Sequence, residues 1–277
     1  MLLGILLAVA AVAAGVICAL SGAFAGMMWI WLLPVSFVGC TLLLALAGFV
    51  FLLILCKRVD MSVPQEQDDP LYRKVVDLYL ESLIPVVRVH IHATGLEQTP
   101  KQGRFLLVCN HNNNADPIIL LRSFRKSQLA FISKKENKDM FVIGPMMHKI
   151  QTQLIDREND REALKTILRC IQILKEDKAS VAVFPEGGID MDFKLHHFRP
   201  GVFKIAQKAK VPIVVCTLKN TDHVMSNVVH YRRSDVQLHL VTVIRPEEFE
   251  GITTVELAQR VHKIMADDLG PELVAED

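Results

Sequence analysis

Two long runs without a charged side chain open the sequence. Leu2 to Leu20 is apolar throughout, Met27 to Leu55 is apolar again, and only Ser21-Gly22-Ala23-Phe24-Ala25-Gly26 separates them. A helix needs about 20 apolar residues to cross the hydrocarbon layer of a bilayer, so each run predicts a membrane helix, with Pro34 kinking the second or marking its start. The pattern then changes. Asp60 to Asp69 is a polar linker, and Asp69-Pro70 is a helix start with the aspartate as cap and the proline in the first helical position. That helix is expected to run to about Leu83, with Leu71, Val75, Val76, Leu78, Leu80 and Leu83 for an apolar face and Pro85 closing it. Val86 to Ala93 alternates like a half-buried strand, whereas Phe105 to Cys109 is a short continuous apolar run, as in a buried central strand. Further strands are predicted at Leu129–Ile132, Val181–Phe184, Val211–Leu218 and Val236–Ile244. Helices are predicted from Pro117 to about Phe124 and over Asp160–Lys175, Val202–Lys208 and Val255–Leu269. Strands alternating with helices define an α/β class, a layered fold with a largely parallel central sheet flanked by helices. The expected organisation is an N-terminal two-helix membrane hairpin over 1–56, a linker and amphipathic helix over 57–85, and the folded domain over 86–277.

Charge sharpens this division. All 31 basic and 30 acidic residues follow Cys56, so the net charge of +1 describes neither part. It leaves no basic footprint that would indicate nucleic acid. Lys57 and Arg58 come directly after the second apolar run, and the positive-inside rule then puts the folded domain on the cytoplasmic face of a membrane, the cell membrane in a bacterium. No basic segment precedes the first run, which argues against a cleaved signal peptide. A pair of spanning helices and a hairpin dipping into one leaflet both remain open. The six cysteines form no CxxC pattern and read as buried free thiols. No cluster of His, Asp or Glu has metal-ligand spacing, so no metal is expected.

The candidate chemistry begins with histidine. A His-x4-Asp pair arises readily by chance among ten histidines and sixteen aspartates, and the chain has three: His111/Asp116, His230/Asp235 and His262/Asp267. The last pair lies inside a predicted helix, where five residues leave the side chains about 140° apart. His230 sits in a charged connection, Tyr231-Arg232-Arg233-Ser234. His111 differs, because it follows the buried strand Phe105–Cys109 at the carboxyl edge, where α/β sheets place their ligands. Asn112-Asn113-Asn114 tolerates a tight turn, and Asp116-Pro117 stands at a helix start with Asp116 at the cap. A loop of this shape can bring Asp116 back to the imidazole. That is the arrangement of a general base oriented by a carboxylate.

Three further segments accompany it: Leu154-Ile155-Asp156-Arg157 after a Gly144-Pro145 turn, Phe184-Pro185-Glu186-Gly187 at a strand end, and Val211-Pro212-Ile213-Val214 at a strand start. With His111-x4-Asp116, in this order, they resemble the four blocks of the glycerolipid acyltransferase family, the 1-acylglycerol-3-phosphate acyltransferase or PlsC-like enzymes. The resemblance runs from about Val86 to Leu218, and Phe131–Glu136 and Phe198–Lys204 are similar to intermediate segments of that family. It implies an acyltransferase that moves a fatty acyl group from an acyl thioester, acyl-CoA or acyl carrier protein, to the hydroxyl of a lysophospholipid, foremost 1-acylglycerol-3-phosphate, giving phosphatidic acid. No other cofactor is implied, and the partners would be the lysophospholipid, the thioester or its carrier protein, and the bilayer. His111 would take the hydroxyl proton with Asp116 holding the ring. By similarity Arg157, Glu186 and Gly187 belong to acceptor binding, and Lys134 or Lys135 meets the phosphate or the oxyanion.

One departure bears on the acceptor. The third block of the family usually continues Glu-Gly-Thr-Arg, whereas this chain has Glu186-Gly187-Gly188-Ile189. Arginine grips phosphate through paired donors that a neutral residue lacks. Either Lys194, Arg199 or Lys204 supplies that charge, or the acceptor is another lysolipid or an amino-acid-based lipid. A hydrolase or transacylase using the same His/Asp pair, and a catalytically silent lipid-binding protein, are the competing readings.

Overall fold

The computed structural model describes residues 2–276 and divides into two compact units, one ending at Val63 and one beginning at Pro64. In the first unit, α1 (Leu2–Leu20) and α2 (Trp29–Lys57) have 19 and 29 residues and are long and apolar enough to cross a membrane. They pack on each other, and the buried positions of α1, Ala10, Ala14 and Cys18, recur every four residues as one stripe of small side chains, which permits close approach of helices. Pro34 lies within α2 rather than at its start.

The second unit is the expected α/β layering. Its elements are α3 (Pro70–Val86), β1 (Val89–Thr94), β2 (Leu106–Cys109), α4 (Asp116–Ser123), β3 (Leu129–Lys134), α5 (Ile143–Lys149), β4 (Gln153–Ile155), α6 (Asp160–Lys175), β5 (Ser180–Val183), α7 (Lys204–Ala209), β6 (Ile213–Lys219), α8 (Val224–Val229), β7 (Ser234–Ile244) and α9 (Thr254–Leu269). Asp69 caps α3 as expected, its Oδ1 accepting the Leu71 and Tyr72 N–H groups at 3.0 and 3.3 Å. The helix carries Pro85 in its last turn, so β1 begins at Val89, three residues later than the alternation predicts. The sequence pattern misses α5, β4 and α8. Gly144-Pro145 is not a turn but the start of α5, where proline's missing N–H would have no helical partner anyway.

The seven strands run β1-β7-β6-β2-β5-β3-β4, and every pairing among the described strands is parallel except β6–β7. The catalytic candidate therefore follows the middle strand. Alternate β2 side chains enter two different cores. Leu106 and Val108 pack with α6, α7 and α9 residues on one face, and Phe105, Leu107 and Cys109 pack with Ile119 and Leu120 of α4 on the other. Because β2, β3, β4, β5 and β6 share one direction, the loops carrying His111, Lys134, Arg157 and Glu186 all emerge at one edge.

Candidate active site

The chain turns away from the sheet after Cys109. Asn110 substitutes its side chain for main-chain pairing there: its Nδ2 donates to the Leu218 carbonyl at 2.9 Å and its Oδ1 accepts the Leu218 N–H at 2.7 Å. His111 is thereby released to point along the carboxyl edge. Asp116, fully buried, is the first residue of α4 rather than its cap, which is Ala115. Its carboxylate faces the preceding loop: Oδ2 accepts the N–H groups of Asn112 and Asn113 at 2.7 and 2.8 Å and lies 2.9 Å from His111 Nδ1. With Nδ1–H given to the carboxylate, Nε2 is the nitrogen left to accept a proton. The ring stacks on Phe184 at 4.0 Å between centroids and 14° between planes, and Phe184 is backed by Phe131. Its side chain keeps 16% exposure, enough for a reactant to reach it.

The decoy pairs behave differently. His230 bonds the Ser226 carbonyl through Nδ1, Asp235 engages Arg233 and His92, and His262 packs against Phe198 and His197.

Glu186 stands behind the histidine. Its Oε1 accepts the His111 N–H at 2.9 Å and its Oε2 accepts the His196 N–H at 3.1 Å, so both oxygens are held by backbone amides. The structure gives this residue a positioning geometry, clamping the catalytic loop to the segment after β5. Burial pushes its carboxyl up to about 7, against the two N–H bonds that favour the charge. A carboxyl raised on folding is ionised first in the unfolded chain, so its contribution to stability falls as pH rises from the ordinary carboxylate range through about 7. Thermal unfolding followed across that window should show this slope in the wild type and a shallower one in Glu186→Gln.

Gly187 adopts φ +84°, and an added β-carbon would come 2.5 Å from Arg199 Nε and 2.9 Å from its Cδ. The Arg199 side chain thus lies directly over the glycine, held at its backbone by a 2.8 Å bond from its N–H to the Pro185 carbonyl. A cation ten residues after Ile189 thus stands beside Gly187. Arg157 is a neighbour: burial, and then the charge of Arg199, pull its guanidinium below the ordinary value. Neither guanidinium makes a side-chain hydrogen bond or ion pair among the described residues, and both oxygens of Asp156, the residue before Arg157, are taken by Lys135 and the Glu158 N–H. The β3–β4 register pairs Lys134 with Ile155, and this sets Lys135 Nζ 2.7 Å from Asp156 Oδ2. Lys135 is therefore ion-paired with Asp156, and both Lys134 and Lys135 are exposed.

Cys109 offers no alternative nucleophile, because burial holds its thiol well above the ordinary value. Among the described residues no group of three or more His, Cys, Asp or Glu side chains is arranged to hold a metal ion. A cleft of about 1010 Å³ opens around Phe105 and Phe124 at the opposite, amino edge of the sheet and shares no residue with this chemistry. Sequence reasoning missed Asn110, Phe184 and Phe131 as parts of the site. A polar residue ending an apolar run, as Asn110 does, was the one available signal.

The family model described as Acyltransferase matches residues 90–219. A probable 1-acyl-sn-glycerol-3-phosphate acyltransferase of Mycoplasma pneumoniae is 28% identical over 236 residues, covering 80% of this chain and 88% of the relative. The 1-acyl-sn-glycerol-3-phosphate acyltransferase of Saccharomyces cerevisiae is 28% identical over 65% of this chain and 59% of its own length. In fold, the chain is similar to the crystal structure of the 1-acyl-sn-glycerophosphate acyltransferase PlsC from Thermotoga maritima, with a TM-score of 0.60 at 21% identity over 71% of this chain and 78% of that one.

Proposed function

We infer that this chain, which matches the acyltransferase family model over residues 90–219 and is similar to 1-acyl-sn-glycerol-3-phosphate acyltransferases, transfers a fatty acyl group from an acyl thioester to the free hydroxyl of 1-acyl-sn-glycerol 3-phosphate, giving phosphatidic acid. The observation that carries this reading is one sheet edge holding an oriented imidazole with Nε2 available and two unpaired guanidiniums, Arg157 and Arg199.

The step follows from the geometry. His111 Nε2 accepts the acceptor hydroxyl proton as its oxygen attacks the thioester carbonyl carbon. The imidazolium is stabilised by Asp116 through Nδ1–H. Collapse of the tetrahedral species breaks the C–S bond, and the departing sulfur takes the proton back from Nε2, leaving the enzyme unchanged. Arg157 and Arg199 hold the phosphate of the acceptor, with Gly187 giving Arg199 room. Coenzyme A and acyl carrier protein both present the required thioester. The catalytic unit works on the cytoplasmic face, as Lys57 and Arg58 at the end of α2 favour.

The full chain in mixed micelles, with a labelled acyl thioester, tests this against a panel of acceptors. Transfer is expected to require the thioester and to favour the phosphomonoester lysolipid. Preference for a lysolipid without a phosphomonoester, or release of free fatty acid alone, would overturn it. Arg199→Ala is expected to raise KM for the acceptor about 10- to 100-fold, the equivalent of one lost charge-assisted contact of roughly 1.5–3 kcal/mol. Gly187→Ala should produce the same direction of change, because its β-carbon displaces Arg199.

A further inference from the structure

The segment between β3 and α5 is built to project apolar side chains. After Lys134 the chain forms a 3-10 turn, Lys135–Asp139, then exposes Met140 (44%), Phe141 (73%) and Ile143 (46%) in succession. Soluble surfaces seldom gather large apolar groups in this way without a partner. The projection is held rather than loose. Asn137 Nδ2 donates to Ser133 Oγ at 2.8 Å, and the Gly144 N–H donates to the Met140 carbonyl at 2.8 Å. A β-carbon at Gly144 would collide with the Lys138 carbonyl oxygen, so the turn closes against a residue that has none. Met191, in the loop after β5, is 91% exposed at the same edge.

Two facts identify the occupant. Lys134 and Lys138, at the base of the projection, are exposed and make no ion pair among the described residues, which suits anionic lipid headgroups. The chain also carries two helices of membrane-crossing length, so a bilayer is at hand. We propose that Met140, Phe141 and Ile143, with Met191 at the same sheet edge, form a second membrane contact that enters the interfacial layer of the bilayer and turns the His111 edge toward the lipid. Lys134 then meets headgroups at the rim instead of the reacting atoms. The contact itself stands on the exposed apolar groups; its effect on turnover rests on the function proposed above.

An environment-sensitive fluorophore on Phe141→Cys, in the full chain reconstituted into phosphatidylcholine vesicles with phosphatidylglycerol, tests the contact without reference to activity. The wild-type chain treated identically supplies the background from native cysteines. The label should shift to the blue and be quenched by lipids bearing a headgroup-proximal nitroxide. The same label on Lys126→Cys, exposed at the amino end of β3, should remain open to aqueous iodide. A Phe141 label equally open to iodide would overturn the proposal. So would shielding that grows with protein concentration in the absence of lipid, since it would assign the face to a second copy. In a second arm, Phe141→Asp should raise KM several-fold for a long-chain acceptor presented in vesicles and leave turnover of a short-chain soluble acceptor unchanged. Equal loss on both acceptors would also overturn it, whereas lack of turnover by the wild type would count against the proposed function and leave the fluorescence result standing.

Discussion

Replacing His111 with alanine is expected to lower acyl transfer by about 100- to 10,000-fold, the range by which a positioned general base accelerates a proton transfer. The fold should survive. His111 contributes a stacked ring on Phe184 and one bond to Asp116, whereas its backbone N–H, which holds the loop to Glu186, is untouched by the substitution. Asp116 keeps the Asn112 and Asn113 amides, so no buried charge is stranded. The loss in stability should stay at about 1–2 kcal/mol. Thioester consumption measured beside a thermal melt separates the two effects. Retention of most of the wild-type rate in a folded variant would remove His111 from the mechanism and favour a silent lipid-binding role.

Asp116→Asn should be nearly as damaging, for a separable reason. All three donors converge on Oδ2, while Oδ1 is buried and makes no hydrogen bond. An asparagine can place its carbonyl oxygen at the Oδ2 position, keep the three bonds and put its amide where Oδ1 stood. The loop geometry is then preserved and the charge alone is lost. A charge about 4 Å from the imidazolium is worth roughly 4 kcal/mol at an effective dielectric near 20, so turnover should fall by about 1,000-fold with little change in acceptor KM. Asp116→Ala, by contrast, leaves buried amides without an acceptor and should also unfold the chain at lower temperature. A rate for Asp116→Asn close to wild type would mean that the carboxylate orients His111 without stabilising its charge.

Much of this architecture was legible in the pattern of apolar residues. The two long apolar helices, the central strand ending at Cys109, the long helix Asp160–Lys175 and the closing helix all follow from period and run length. Short elements were harder. The three residues of β4 and the six of α8 carry too few side chains to display a period, and a proline tolerated in the first turn of α5 looks like a turn in sequence. The pairing of Asp116 with His111 could be anticipated from loop chemistry. The environment of Glu186 could not, since its partners are the backbone amides of His111 and His196, and amides leave no trace in residue identity. Arg199 was visible only as one cation among three following Gly187. The left-handed glycine beneath its side chain distinguishes it, and that is a property of conformation.

The bond between Asn110 and Leu218 spans 108 residues, and β2 pairs only with β5 and β6, strands that follow it by more than seventy. During synthesis, α1 and α2 emerge before the second unit, while the loop bearing His111 must wait for Leu218 before its end can be fixed. Contacts so distant in the chain close late. A nascent chain can therefore hold both apolar helices before β2 has either neighbour, and the His111 loop takes its final form only after β5 and β6 have been made.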